Sequence, residues 1–402
     1  MSKAKYTLSQ AIEDNAEFSV FKALLDSCPD VNKRHQCFDG SPLYMAAKKG
    51  SVEMVSALIA AGADVNGATG GNPQPLYAAC SVSNNEKVVK ILLEAGAGVD
   101  NVYESGSNRT PLMRAVTLVS PNNLIETIKA LIKAGADVNK VDEDGDSVLY
   151  LALARDVKND PTINADRLAI AKLLIDAGAS VHNNTSNPKL SGGKVPIMCA
   201  SAYWYSDIVK LIIDSGADIN AITQGGNDAL YVAINNNPDE KVIETLLAAG
   251  ANPNRIYEKK KFGHTNEKEN LSALSYALTG SRSSNVAKTL IKAGADINHP
   301  SVTSLFNIKE DGFPPFKFRC PLCDCVLEDA ELIKLLEPAA PEKFFEKAIA
   351  MSTFSKVMMN YHPMELVYKL LMAHPELIKD LSKEGESSSR RHCFFGGPMM
   401  GF

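Results

Sequence analysis

The 402-residue sequence has no run near the roughly 18 apolar residues that a membrane-spanning helix needs, so no helical span is expected. A surplus of positive charge is also missing. Lys and Arg number 42 against 47 Asp and Glu, and the formal net charge of −5 argues against a general nucleic-acid binder, which neutralises phosphates with cations. Eight cysteines are scattered without the paired spacing of a disulfide framework, which fits a reducing, cytoplasmic setting. Met1–Asp14 is polar, and no secretory leader is expected there. Seven histidines are spread thinly, no Ser or Cys sits in a nucleophile's turn context, and no Gly-rich phosphate cradle is present. The expectation is a protein that is not an enzyme and needs no cofactor.

In place of such features the chain carries repetition. The stretch Gly40–Asn66, GSPLYMAAKKGSVEMVSALIAAGADVN, sets the pattern. Pro42 predicts a helix start, because a missing N–H costs nothing in the first turn, and Ala46 and Ala47 are small enough for a second helix to lie close. Gly50 breaks the chain. Val55, Leu58 and Ile59 give the second helix an apolar stripe, Gly62 ends it in the left-handed conformation, and Val65 and Asn66 lead into a hairpin. Two helices this short cannot offset their own chain entropy and need a like neighbour on each side.

Those neighbours exist. The closing motif returns as AGAGVD (Ala95–Asp100), AGADVN (Ala134–Asn139), AGASVH (Ala177–His182), SGADIN (Ser215–Asn220), AGANPN (Ala249–Asn254) and AGADIN (Ala293–Asn298). The opening motif returns at Pro75–Ala79, Pro111–Ala115, Val148–Ala152, Pro196–Ala200, Ala229–Ala233 and Ala273–Ala277. These copies resemble the ankyrin-repeat family, whose consensus has T-P-L-H-x-A near its start and G-A-D-V-N near its end. The resemblance covers roughly residues 5–300 and implies an all-α fold: an α-solenoid of about eight ankyrin repeats, each helix-turn-helix plus a β-hairpin loop. One departure is systematic. The consensus His is Tyr44, Tyr77, Tyr150 or Tyr231 here, or Met113 or Met198, which puts the polar link of that His in question.

The expected organisation is a degenerate N-terminal capping repeat at 1–38, repeats over 39–300, a C-terminal helical cap domain at 301–384 and a disordered tail at 385–402. In the cap domain, Glu328–Leu336, Pro341–Met351 and Pro363–His374 have the apolar spacing of short helices. From Gly62 onward the closing glycines are spaced by 34, 39, 43, 38, 34 and 44 residues, so several copies carry insertions. These fall between the helices at Ser120–Asn123 and Asp156–Ala165, and in hairpins at Asn183–Lys194 and Arg255–Asn270. The Asn of the closing motif, at 66, 139, 220 and 298, is expected to brace its turn by side-chain hydrogen bonds.

The resemblance also implies where a partner protein would sit, on a concave face made by hairpin tips and the exposed ends of the first helices. Carried over copy by copy, it points to Lys48, Lys49, Arg155 and Asn235, and to the cluster Tyr203, Trp204 and Tyr205, which holds the single Trp of the chain. The hairpins add Tyr103, Tyr257, Lys259 and Phe262. The expected function is a non-enzymatic, monomeric scaffold or adaptor that binds a partner protein, with no nucleic acid and no membrane. An alternative starts from Cys320 and Cys323, whose two-residue separation suits half of a zinc site; the module would then belong to a ubiquitin-ligase adaptor. Arrays of this kind also suit an effector that an intracellular bacterium secretes into a host cell.

Overall fold

A computed structural model describes residues 7–33, 40–67, 74–82, 85–102, 108–118, 124–154, 161–182, 195–203, 206–223, 225–236, 239–260, 268–279, 284–306, 327, 329–341 and 345. The chain divides into two compact units, Met1–Ala251 and Asn252–Phe402.

Unit one is a row of helix pairs: α1 (Leu8–Glu13) with α2 (Phe18–Asp26), α3 (Pro42–Lys49) with α4 (Val52–Ala60), α5 (Pro75–Ala79) with α6 (Glu86–Glu94), and α7 (Pro111–Val116) with α8 (Leu124–Lys133). It continues with α9 (Val148–Leu153) and α10 (Pro161–Asp176), α11 (Pro196–Ala202) and α12 (Ser206–Asp214), and α13 (Ala229–Asn236) and α14 (Glu240–Ala248). First helices pack on neighbouring first helices, and second helices on second helices. Each pair offers the next what it lacks. Ala46, Ala47, Leu43, Val55 and Leu58 are all buried, as are their counterparts Ala79, Cys80, Leu76, Val89 and Leu92 one copy later. The apolar stripe of a short helix is thus covered on both sides, and burying a Leu or Val completely is worth about 1.5–3 kcal/mol.

Local chemistry sets the ends of these helices. Ser41, Thr110 and Ser147 stand just before their first helices, and each side-chain oxygen accepts from the N–H three residues on. Gly62 closes α4 at φ +84°, a backbone conformation that a side chain resists. The insertion expected at Asp156–Ala165 is in part helix, since α10 begins at Pro161 and runs for 16 residues.

The closing Asn does something other than brace its own turn. That task falls to the Asp two residues earlier: the Asp64 carboxylate accepts from the Asn66 N–H at 3.0 Å, and Asp137 accepts from Asn139 at 2.9 Å. The Asn side chain reaches forward instead. Asn66 accepts from the Gly98 N–H at 2.7 Å and donates to the Gly96 carbonyl at 3.3 Å, and Asn139 makes the same pair with Ser180 and Gly178 at 2.8 and 2.9 Å. An amide fits because it holds a donor and an acceptor on one carbon. Each Asn so placed is a rung between successive copies.

Unit two holds the pair α15 (Ala273–Thr279) and α16 (Ser284–Lys292), the turn α17 (Pro300–Thr303) and α18 (Ala330–Leu336). The hairpin insertion expected at Arg255–Asn270 contains an antiparallel ribbon, β1 (Ile256–Lys260) on β2 (Lys268–Ser272), with Tyr257 opposite Leu271. Asn254 repeats the rung, donating to Gly294 at 2.9 Å and accepting from Asp296 at 2.7 Å. The helix expected at Glu328–Leu336 is α18, which packs on α16 with Leu332 and Leu336 fully buried. The segments Pro341–Met351 and Pro363–His374, apart from 341 and 345, and the tail lie outside the described residues.

Asp329 fixes α18 to α16. Its carboxylate caps α18 by accepting from the Leu332 N–H at 3.0 Å, and takes further bonds from Ser284 Oγ at 2.6 Å and Lys288 Nζ at 2.8 Å. The Lys288 bond, then Ser284, then the Leu332 amide hold the carboxyl far below the usual carboxylate range. A depressed folded-state value stabilises the attachment fully above the pH where a free aspartate titrates, and the contribution fades as pH falls from about 4 toward the lower value. The protection of the α18 amides, taken relative to the intrinsic exchange rate at each pH, should therefore fall between about pH 5 and about pH 2. In Asp329→Asn the amides should exchange faster at pH 7 and lose most of that pH dependence.

Candidate recognition face

In unit one the last turns of the first helices and the hairpins that follow the second helices present the polar and apolar groups a partner could touch. Lys48 and Lys49 end α3, both exposed. Lys49 is committed, since its Nζ donates to the Glu13 carbonyl at 3.0 Å and lies 3.4 Å from the Glu13 carboxylate, tying the second copy to the first. Lys48 stands beside it, exposed to solvent. Further along, Arg114 donates from Nε to Ser81 Oγ at 2.9 Å, which links the fourth copy to the third. Thr117 and Ser81 turn their hydroxyls back onto the carbonyls of their own helices. Asn235 is half-buried near the end of α13.

Tyr203 is half-buried. Burial, then Cys199, Asp146 and Tyr203, push the Tyr150 phenol of the preceding copy up. Trp204 and Tyr205 lie outside the described residues, as do Tyr103, Arg155 and Phe262 and the side chain of Lys259. Tyr257 corrects the expectation. At 2% exposure it is a core residue of unit two, its ring edge-on to Tyr276 at 6.2 Å between centroids, because strand alternation turns it inward where Ile256 turns out.

Two hairpin residues escaped the sequence reading. Val141 is 39% exposed and Ile222 is 55% exposed, large apolar side chains left in water. Both stand two places after the closing Asn, Asn139 and Asn220, and the same place holds Val102 after Asp100 and Ile256 after Asn254. Aligning the hairpins, rather than only the helices, would have revealed this row of β-branched residues. The hairpin bearing Val141 is rigid: Val141 bridges Ser147, and Asp142 accepts from the amides of Asp144 and Asp146 at 3.1 and 2.8 Å and from Arg109 Nε at 3.0 Å.

The chemistry of the remaining candidates is structural. Asp142, Asp144 and Asp146 bring carboxylate oxygens within 4.8 Å of one another, yet the Asp142 pair is taken up by those three bonds. Burial pushes the Cys199 thiol up to about 12 and the Cys80 thiol up as well, so both stay protonated and inert at neutral pH. Arg167, 6% exposed, donates to the Ala152 carbonyl, as Asn85 does to the equivalent Ala79 carbonyl at 3.1 Å two copies earlier. Cys320 and Cys323, the zinc alternative, lie outside the described residues. Among the described residues no helix is long and apolar enough to cross a membrane.

Comparison with known proteins adds the family. The profile for ankyrin repeats in three copies matches residues 8–103, 162–257 and 198–301, and the single ankyrin repeat matches 107–143. A putative ankyrin repeat protein of fowlpox virus is 30% identical over 184 residues, which are 44% of this chain and 36% of that protein. A putative ankyrin repeat protein of Rickettsia felis is 44% identical over 85 residues, 21% of this chain and 35% of that one. The matches thus span little more than a third of those relatives' length. Among solved structures, the human ASB11 ankyrin repeat domain is 24% identical with a TM-score of 0.48, covering 61% of this chain and 98% of that one. The Bcl-3 ankyrin repeat domain is 22% identical with a TM-score of 0.47, covering 61% and 99%.

Proposed function

The chain belongs to the ankyrin-repeat family, whose arrays generally serve as protein–protein interaction modules, and we propose that it is a non-enzymatic scaffold that holds a partner protein across its hairpins and first-helix ends. The observation that carries this reading is the pair Val141 and Ile222. Each is a β-branched side chain at the same place of its copy, exposed at 39% and 55%, on a backbone held by its own hydrogen bonds. In the Ile222 hairpin those bonds run from the Thr223 N–H to the Asn227 carbonyl and from Gly226 back to Thr223. Apolar groups displayed on stiff loops lose little entropy on binding and shed water when covered. Lys48 and Asn235 supply polar rim contacts that orient the partner. We also propose that it is a cytoplasmic monomer that acts without cofactor or nucleic acid; the acidic balance speaks against nucleic acid and the scattered spacing of the cysteines favours a reducing compartment.

The test separates binding from folding. Proteins captured from the native cell extract by the full chain would be identified by mass spectrometry, and the capture repeated with Val141→Asp, Ile222→Asp. Both sites are exposed, so the thermal midpoint should move little, while a specific partner should be lost at least tenfold, as expected when about 1.4 kcal/mol of apolar contact is removed. Unchanged capture of every prey would remove the hairpin row from the interface.

A further inference from the structure

The rungs between copies are not continuous. In the fourth copy Asn139 both accepts from Ser180 and donates to Gly178 in the fifth. In the third, Asp100 keeps half of that link: its carboxylate accepts from the Asp137 N–H at 3.1 Å but, being an acceptor only, has no proton for the next carbonyl. In the sixth, Asn220 donates to Gly250 at 3.3 Å. The fifth copy ends instead in His182, whose two ring nitrogens point apart and cannot serve neighbouring donor and acceptor groups as an amide does. Among the described residues no hydrogen bond joins His182 to Asp218 or Gly216, the groups a rung would engage, and its backbone N–H goes to Ser180 Oγ within its own turn. One bond in the closing turn of the sixth copy is also longer than its equivalents. Ala217 N–H meets the Ile212 carbonyl at 3.2 Å, where the equivalent bonds of Ala63, Ala97, Ala136, Ala179 and Ala251 measure 2.9 or 3.0 Å.

We propose that the junction between the fifth and sixth copies is a built-in soft joint at which unit one opens locally more readily than at the junction before it. The missing rung removes two bonds between copies while leaving the buried helix contacts in place, so the copies stay stacked but their closing turns part independently. A single residue, His182, sets that freedom.

Native-state hydrogen exchange on the full chain tests this, reading the Ala217 and Ala179 amides, which make the same bond within their own turns. In the native protein Ala217 should exchange faster than Ala179 by on the order of tenfold, the worth of one or two net hydrogen bonds. His182→Asn supplies the missing amide and should slow Ala217 by a similar factor with Ala179 unchanged. Asn139→His moves the gap one junction back and should speed Ala179 alone. Equal protection of the two amides in the native protein, or no slowing at Ala217 in His182→Asn, would overturn the proposal. Because His182→Asn adds bonds rather than removing them, loss of folding does not cloud the result.

Discussion

Leu131→Ala should lower the stability of unit one by about 3 kcal/mol, within the ~2–5 kcal/mol range for emptying a packed leucine site. Leu131 is completely buried on α8, and the equivalents in adjacent copies, Leu92 and Leu174, are as inaccessible. A helix of this row has no independent stability, so the cavity weakens the contacts of α8 with α6 and with α10 as well as its own pairing with α7. Urea unfolding followed by circular dichroism should show the loss as an earlier midpoint. Lys133→Ala, two residues on and exposed, is the control and should stay within about 0.5 kcal/mol of the native protein. A variant at Leu131 that unfolds with the native midpoint would mean that the copies do not support one another.

The parts of this architecture that are legible in the sequence are those where a residue type has a single physical use. Gly62 and the Ala46–Ala47 pair identify a helix end and a close helix contact, and their recurrence identifies the row. Burial at Leu58 follows from spacing alone. Other features depend on a neighbour that the sequence does not display. Asn66 looks like a turn residue by composition, and only the approach of Gly96 and Gly98 reveals it as a link between copies. Arg167 reads as a surface charge, yet it is buried because a long side chain reaches the Ala152 carbonyl from an enlarged copy. Tyr257 looks like a displayed aromatic until the pairing of β1 with β2 fixes which face of the ribbon it occupies. The apolar row at Val141 and Ile222 was present in the letters but not in the helix-centred alignment.

Asp142→Ala is the second large expected loss, and it arises from polar groups rather than apolar ones. The Asp142 side chain is fully buried and accepts three bonds, from the Asp144 and Asp146 amides and from Arg109 Nε. Alanine leaves two turn amides without their acceptor and a guanidinium, 27% exposed, without its counter-charge. Removing one member of a buried pair costs ~3–5 kcal/mol when the other is stranded, and the partial exposure of Arg109 puts the expected value near the lower end, about 3 kcal/mol. Asp142→Asn should cost less, since the Asp144 and Asp146 amides share one carboxylate oxygen, which the Asn carbonyl replaces, while its NH₂ faces the Arg109 donor. Removing both members, as Arg109→Met, Asp142→Ala, should recover part of the Asp142→Ala loss, and a double-mutant cycle in urea measures how much. The local signature is at Val141: with the hairpin loosened, its bridge to Ser147 should break, and hydrogen exchange at the 141–147 amides should accelerate before the flanking helices do. If the double variant is as unstable as the sum of the single ones, the Asp142 carboxylate acts on the turn amides alone and Arg109 contributes nothing to the fold through it.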